Sequence, residues 1–250
     1  MYPVLNLALV LLAGQSVSNP TGLHAKLRQT VVVLTYHDVV PIRNAESEWF
    51  DCSISELENQ IRAMERVKVK FINLDQLYGF LKYGAPLPSR PVCITFADNY
   101  LGYYRYALPI LRRHHIPSAQ FVHTGFVGSP IGRPKLTWAQ LKELTQAGDV
   151  TVGSQTVSHP ADLRLLSDAR LKREMVDSKR ALEIHLGRPV RFLAYPNGKF
   201  DARSERAAQA AGYATAFSEV TQPANLSPSL FAVNRYVHTK WQAALLRFLR

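Results

Sequence analysis

From residue 30 onward the chain alternates short, unbroken apolar runs with stretches of helical period, and this limits its possible folds more than any other feature. Thr30-Val31-Val32-Val33-Leu34-Thr35-Tyr36 is β-branched and apolar throughout, as a strand covered on both faces must be. Further strands are predicted over 69–72, 92–96, 118–123, 149–153, 191–194, 214–217 and 231–237. Helices are predicted over 75–83, 104–114, 138–147, 168–186 and 202–211. Another helix is expected where Ser55-Glu56-Leu57-Glu58 has the form of a capping box and Leu57, Ile61 and Met64 follow at helical spacing. Strands joined by helices in this way form a parallel sheet with helical crossovers, open or closed into a barrel.

Composition bears on three questions. With 250 residues, 47 % hydrophobic and 20 % charged, the chain can bury one full core, which excludes disorder. No internal repeat or long linker divides it, so residues 19–250 are expected to be a single domain. The net charge of +11 favours anionic surfaces such as a cell wall or lipid headgroups. That charge is scattered over helices (Arg112, Arg113, Lys172, Arg173, Lys179, Arg180) and reads as a solvated face. No basic run is interleaved with aromatics, so no nucleic-acid partner is expected. Cys52 and Cys93 leave a disulfide open in an oxidising compartment, and neither has zinc-motif spacing.

Residues 4–13 are an uncharged apolar run the length of a signal-peptide core, too short for a comfortable membrane span. Its basic flank is missing. Residues 1–18 are read as a signal peptide or an N-terminal anchor, which predicts export to the periplasm, cell envelope or exterior.

In parallel α/β folds the chemistry gathers beyond the carboxyl ends of strands. The residues just after predicted strands are Tyr36-His37-Asp38, Ala97-Asp98-Asn99, His123-Thr124, Ser154-Gln155 and Tyr195-Pro196-Asn197. Taken singly they are weak signals. Asp98 reads as a turn or N-cap residue, Gln155 and His159 share a face only if their turn is helical, and Arg191 to Gly198 reads as a salt bridge and a loop.

Together they say more. Thr95-Phe96-Ala97-Asp98-Asn99-Tyr100, Ser154-Gln155-Thr156-Val157-Ser158-His159-Pro160 and Arg191-Phe192-Leu193-Ala194-Tyr195-Pro196-Asn197-Gly198 occur in that order. They resemble the three motifs of the NodB-homology polysaccharide deacetylases (carbohydrate esterase family four), usually Thr-Phe-Asp-Asp-Gly-Tyr, Ser-His-Thr-x-Ser-His-Pro and Arg-x-x-x-x-Pro-x-Gly. The flanks Leu34-Thr35-Tyr36-His37-Asp38-Val39, Ala107-Leu108-Pro109-Ile110-Leu111 and Leu136-Thr137-Trp138 are similar to the family too.

The resemblance implies a single distorted (β/α) barrel and a hydrolase of carbon–nitrogen bonds that removes N-acetyl groups from aminosugar polymers. Its partner would be an N-acetylated polysaccharide, and its cofactor zinc or another divalent metal. Position by position, Asp98 and His159 match metal ligands, Arg191 the residue orienting the catalytic carboxylate, and Tyr195 the residue whose backbone N–H faces the oxyanion. Asn99, Tyr100 and Pro196 fall where substrate is bound. Convergence of Asp98, His159, Arg191 and Tyr195 on one pocket is therefore expected.

Two departures fall on the chemistry. Ala97 stands where the general-base Asp belongs, and a methyl group accepts no proton. Gln155 replaces the first metal-binding His, and an amide oxygen is a poor zinc ligand. These changes predict weakened or lost turnover, or a glycan-binding protein without turnover. For the catalytic acid, His37 on the predicted rim and His238 late in the chain are the candidates.

Overall fold

The computed structural model describes residues 28–249, so the predicted signal or anchor at 1–18 lies outside the described residues. In chain order the elements are β1 (Val32–Tyr36), β2 (Val39–Val40), β3 (Cys52–Ser53), α1 (Ile54–Arg66), β4 (Lys70–Ile72), α2 (Leu74–Tyr83) and β5 (Pro91–Phe96). A π-turn (Tyr103–Ala107) then runs into α3 (Leu108–Arg113) and β6 (Ser118–Val122). The remainder is α4 (Trp138–Ala147), β7 (Val150–Ser154), α5 (Asp168–Leu186), β8 (Phe192–Ala194), α6 (Ala202–Ala210), β9 (Thr215–Phe217), β10 (Tyr236–Val237) and α7 (Trp241–Leu245).

One parallel sheet runs in the order β10-β1-β5-β6-β7-β8-β9, with β4 beside the first half of β5. Its edges approach through residue 233: the Ser218 N–H donates to the Val233 carbonyl at 2.8 Å, and the Val233 N–H to the Ala216 carbonyl at 2.9 Å. The sheet thus curls into the expected distorted (β/α) barrel. The predicted strand over 231–237 is regular only in β10, because its first half carries this closure. A small parallel pair, β2 with β3, was not predicted; two-residue strands leave no periodic signal.

Strand alternation splits the core in two. Val31, Val33, Cys93, Phe121, Phe192, Phe217 and Val233 fill the barrel together with Leu77 and Phe80 of α2. Val32, Leu34, Tyr36 and Ile94 face outward and pack with Leu57, Ile61 and Met64 of α1. The capping box of α1 is formed by Ser53 and Glu56, two residues earlier than predicted. Both serines have a glutamate three residues on, and the helix takes the earlier one because Ile54 is already helical. Cys52 and Cys93 are both buried and free. Among the described residues no helix is long and apolar enough to cross a membrane.

Candidate functional site

Beyond the carboxyl ends of the strands lies a cleft of ≈ 260 Å³ lined by His37, Trp49, Phe50, Asp98, Gln155, His159, Asn197 and Glu219. Five of these lie within three residues of a strand's end: His37 after β1, Asp98 after β5, Gln155 after β7, Asn197 after β8 and Glu219 after β9. Trp49 and Phe50 come from the excursion before β3.

Asp98 sits at the floor in a left-handed conformation (φ 64), followed by Asn99 (φ 40). Asn tolerates that region better than most residues, which explains how it replaces the motif glycine. The Asp98 N–H donates to Gln155 Oε1 at 2.7 Å. Its backbone carbonyl accepts from Lys135 Nζ at 3.0 Å and lies 2.9 Å from His123 Nε2. Oδ1 of its carboxylate is 3.3 Å from His159 Nε2 yet is buried without a hydrogen bond. Burial alone would raise the Asp98 pKa, but contact with His159 and the fields of His37, His159 and His123 outweigh it and hold the carboxyl below its usual range.

The Gln155 side chain links both loops. Its oxygen is taken by the Asp98 N–H, so its NH2 group is the part that faces His159 Nε2, 3.2 Å away. The loop is held from α5 by Glu174, whose carboxylate accepts from the Val157 N–H at 2.8 Å, the Ser158 N–H at 2.9 Å and Ser158 Oγ at 2.6 Å. Sequence reasoning missed this residue because a glutamate on a polar helix carries no special mark.

The residues can be weighed against a metal. Asp98 Oδ1 and His159 Nε2 lie 3.3 Å apart, near enough to each other to serve as two ligands of one ion. Gln155 does not complete the set, because it turns N–H donors toward the point where a third lone pair is needed. Among the described residues no group of three His, Cys, Asp or Glu side chains is placed to hold a metal ion. A three-ligand zinc site of the expected kind is therefore not assembled.

The opposite wall carries His37 and Glu219. His37 Nε2 lies 3.8 Å from Glu219 Oε1, and the buried Arg235 Nη2 is 3.8 Å from the same oxygen. Burial lowers the His37 pKa against the opposing pull of Asp98 and Glu219. At the mouth, Trp49 is 60 % exposed and meets Phe50 edge-on, while Phe50 stacks on Tyr100 with centroids 6.1 Å apart. Arg133 braces this wall: it pairs with the fully buried Asp51, donates to Asp38 at 3.1 Å, and lies 5.4 Å from the Phe50 ring.

Several expectations are not met. Arg191 is at the other end of β8, where it pairs with Asp75 at 2.5 Å and lies over the Tyr78 ring. The three residues of β8 place it about 10 Å from the carboxyl rim. Tyr195 is buried, with its N–H donating to the Phe217 carbonyl at 3.0 Å and its hydroxyl to the Phe231 carbonyl at 2.9 Å. That N–H belongs to the sheet, and the residue of this turn that reaches the cleft is Asn197. Asn99 is an interior strut accepting from the His123 N–H, Pro196 is buried, and Tyr100 backs Phe50, so none of the three lines the cleft. Ala97 is fully buried, and His238 is buried against Tyr36, with ring centroids 5.1 Å apart. Of the residues expected at the site, Asp98, His159, Gln155 and His37 come together. Trp49, Phe50, Asn197 and Glu219 are additions. Glu219 was within reach of the strand-exit rule, since it lies two residues beyond β9.

Comparison with known proteins bears on the family and the fold. Residues 84–216 match the family model for polysaccharide deacetylase. A poly-β-1,6-N-acetyl-D-glucosamine N-deacetylase of Staphylococcus aureus is 27 % identical over 158 residues, covering 60 % of this chain and 54 % of that protein. The protein YxkH of Bacillus subtilis, named only as a polysaccharide deacetylase, is 28 % identical over 145 residues, or 58 % of this chain and 50 % of its own. The chain therefore spans about half the length of these curated relatives. The structure of IcaB from Ammonifex degensii superposes with a TM-score of 0.78 at 26 % identity, covering 89 % of this chain and 98 % of that one.

Proposed function

Because the chain belongs to the polysaccharide deacetylase family, we propose that it is a hydrolase of N-acetyl groups on aminosugar polymers, with turnover slowed by Ala97 and Gln155. One observation carries the reading: at the cleft floor an ionised carboxylate oxygen without a donor, Asp98 Oδ1, lies beside the NH2 group of Gln155. An acetamido group presents the complement, an N–H for the carboxylate and a carbonyl for the amide. Trp49 at the mouth offers an apolar face for a sugar ring, as aromatic side chains with one wet side do. The absence of a base at position 97 would cost roughly 10²- to 10⁴-fold wherever no other group of the cleft takes the proton.

The metal expected from the family would find in Asp98 and His159 two ligands of three, so any zinc is held weakly. Export is part of the same proposal, with residues 1–18 as signal or anchor and the +11 charge drawing the chain to an anionic wall or membrane surface. The substrate named for the Staphylococcus aureus relative is the first to try. Acetate release from β-1,6- and β-1,4-linked N-acetylglucosamine oligomers, with and without added zinc, is the test; no release under any condition rejects hydrolysis.

A second reading, glycan binding without turnover, draws support from the same two substitutions. Quenching of Trp49 fluorescence by an oligomer that is never hydrolysed would select it.

A further inference from the structure

No motif names Glu219, yet several features fix it on the cleft wall. The Ser218 N–H donates to the Val233 carbonyl at 2.8 Å, which pins the backbone just before it. The Pro196–Gly198 turn packs against it: a Cβ on Gly198 (φ +63) would stand 2.7 Å from both Glu219 N and Glu219 Cβ, so a side chain there would push the two segments apart. Arg235, 0 % exposed inside the barrel, donates from Nε to the Ser218 carbonyl at 2.8 Å and directs Nη2 to Glu219 Oε1 at 3.8 Å, with no hydrogen-bond partner for Nη2. A buried guanidinium needs a counter-charge nearby, and Glu219 supplies it while keeping 19 % of its side chain exposed to the cleft.

We propose that Glu219 is the proton acceptor for the hydrolytic water in this cleft, filling the role that Ala97 cannot. The inference rests on the hydrolase reading above. Water entering between Glu219 and the acetyl carbon gives one proton to the carboxylate as its oxygen bonds to that carbon and the C=O π pair moves onto the carbonyl oxygen. On collapse the carbonyl re-forms, the C–N bond breaks, and the proton held by Glu219 goes to the leaving nitrogen. Acetic acid and a free amine result, and Glu219 is again ionised. Arg235 and His37 hold the carboxylate in place and take no part in the bond changes.

Release of free amine from an N-acetylglucosamine oligomer is measured for the full chain, Glu219→Gln, Glu219→Asp and Glu219→Ala, with thermal unfolding to confirm that each variant folds. The expected result is a 10²- to 10⁴-fold loss in Glu219→Gln, a smaller loss in Glu219→Asp, and unchanged glycan affinity. Added formate should restore part of the Glu219→Ala rate, and a series of small carboxylates should restore more as their basicity rises. Wild-type rates in Glu219→Gln overturn the assignment and leave the hydrolase reading standing. A loss that no carboxylate rescues also overturns it, because Glu219 then serves only as counter-ion to Arg235. No amine from the wild-type chain under any condition overturns both.

Discussion

The two ends of the barrel handle their polar groups in opposite ways. At the amino end the charged groups have partners: Arg191 pairs with Asp75 at 2.5 Å and Arg112 with Asp149 at 2.7 Å, while Arg188 donates to the Thr145 carbonyl at 2.7 Å. Three of the helices that end there, α2, α4 and α5, stop on glycines in the left-handed region, Gly84, Gly148 and Gly187, which adopt it without strain. At the carboxyl end the left-handed positions belong to Asp98, Asn99, Thr156, His159 and Asn197, and only Lys68, Arg90 and His115 share that conformation elsewhere among the described non-glycine residues. Buried polar atoms without partners gather at the same end, including His37 Nδ1, Asp98 Oδ1, Asn99 Nδ2 and Thr156 Oγ1. Strain of this kind costs about 1–3 kcal/mol per residue and persists where the surroundings over-determine it. A larger hollow of ≈ 440 Å³ lies at the amino end, lined by Asp75 and Arg191 among others, but its charges already satisfy each other. Size does not locate the chemistry here. The end with unsatisfied groups does.

The sharpest way to press this contrast is to rebuild the carboxyl end. The pair Ala97→Asp and Gln155→His should raise acetate release by roughly 10²- to 10⁴-fold and raise zinc content above the wild-type level, read by metal analysis of the purified protein. No gain in either would mean that the cleft has lost the geometry claimed for it. Next comes Glu174→Ala, which strands three donors of the 157–158 turn. Urea unfolding should show a loss on the order of 3–5 kcal/mol, and a loss below about 1 kcal/mol would show that the loop holds its shape unaided.

The third test concerns pH. Burial, helped by the field of His37, lowers the His238 pKa from 6.5 to about 4. Between those values the unfolded chain binds a proton that the folded one refuses. Stability from this residue is therefore whole above about pH 6.5 and drains away as pH falls towards 4, by on the order of 3 kcal/mol. His238→Phe, which keeps the ring on Tyr36, should flatten that part of the stability profile; an unchanged slope would acquit His238. The smallest effect belongs to the amino end. Arg191→Ala should cost less than about 1 kcal/mol and leave acetate release unchanged, since the Arg191–Asp75 pair is exposed. A tenfold fall in acetate release would return Arg191 to the chemistry.

Much of the fold was legible because buried parallel strands read as continuous apolar runs, and because Asp98, Gln155 and His159 stand where those runs end. The errors share a cause: a linear motif does not say which side of the sheet a residue reaches. Arg191 and Asn197 are six positions apart in one motif and lie at opposite ends of β8. Tyr195 adjoins the cleft in sequence, but its N–H is spent on the Phe217 carbonyl. Trp49 and Phe50 were out of reach, since a loop pinned by the Arg133–Asp51 pair across 82 residues leaves no local pattern.

Acetate release by the wild-type chain beside an Asp98→Ala/His159→Ala double variant, both shown to be folded, goes most directly to the central claim. Measurable release from the wild type and none from the variant is the predicted result. Equal rates in the two proteins, or silence from both, would contradict the assignment of the cleft as a deacetylase site.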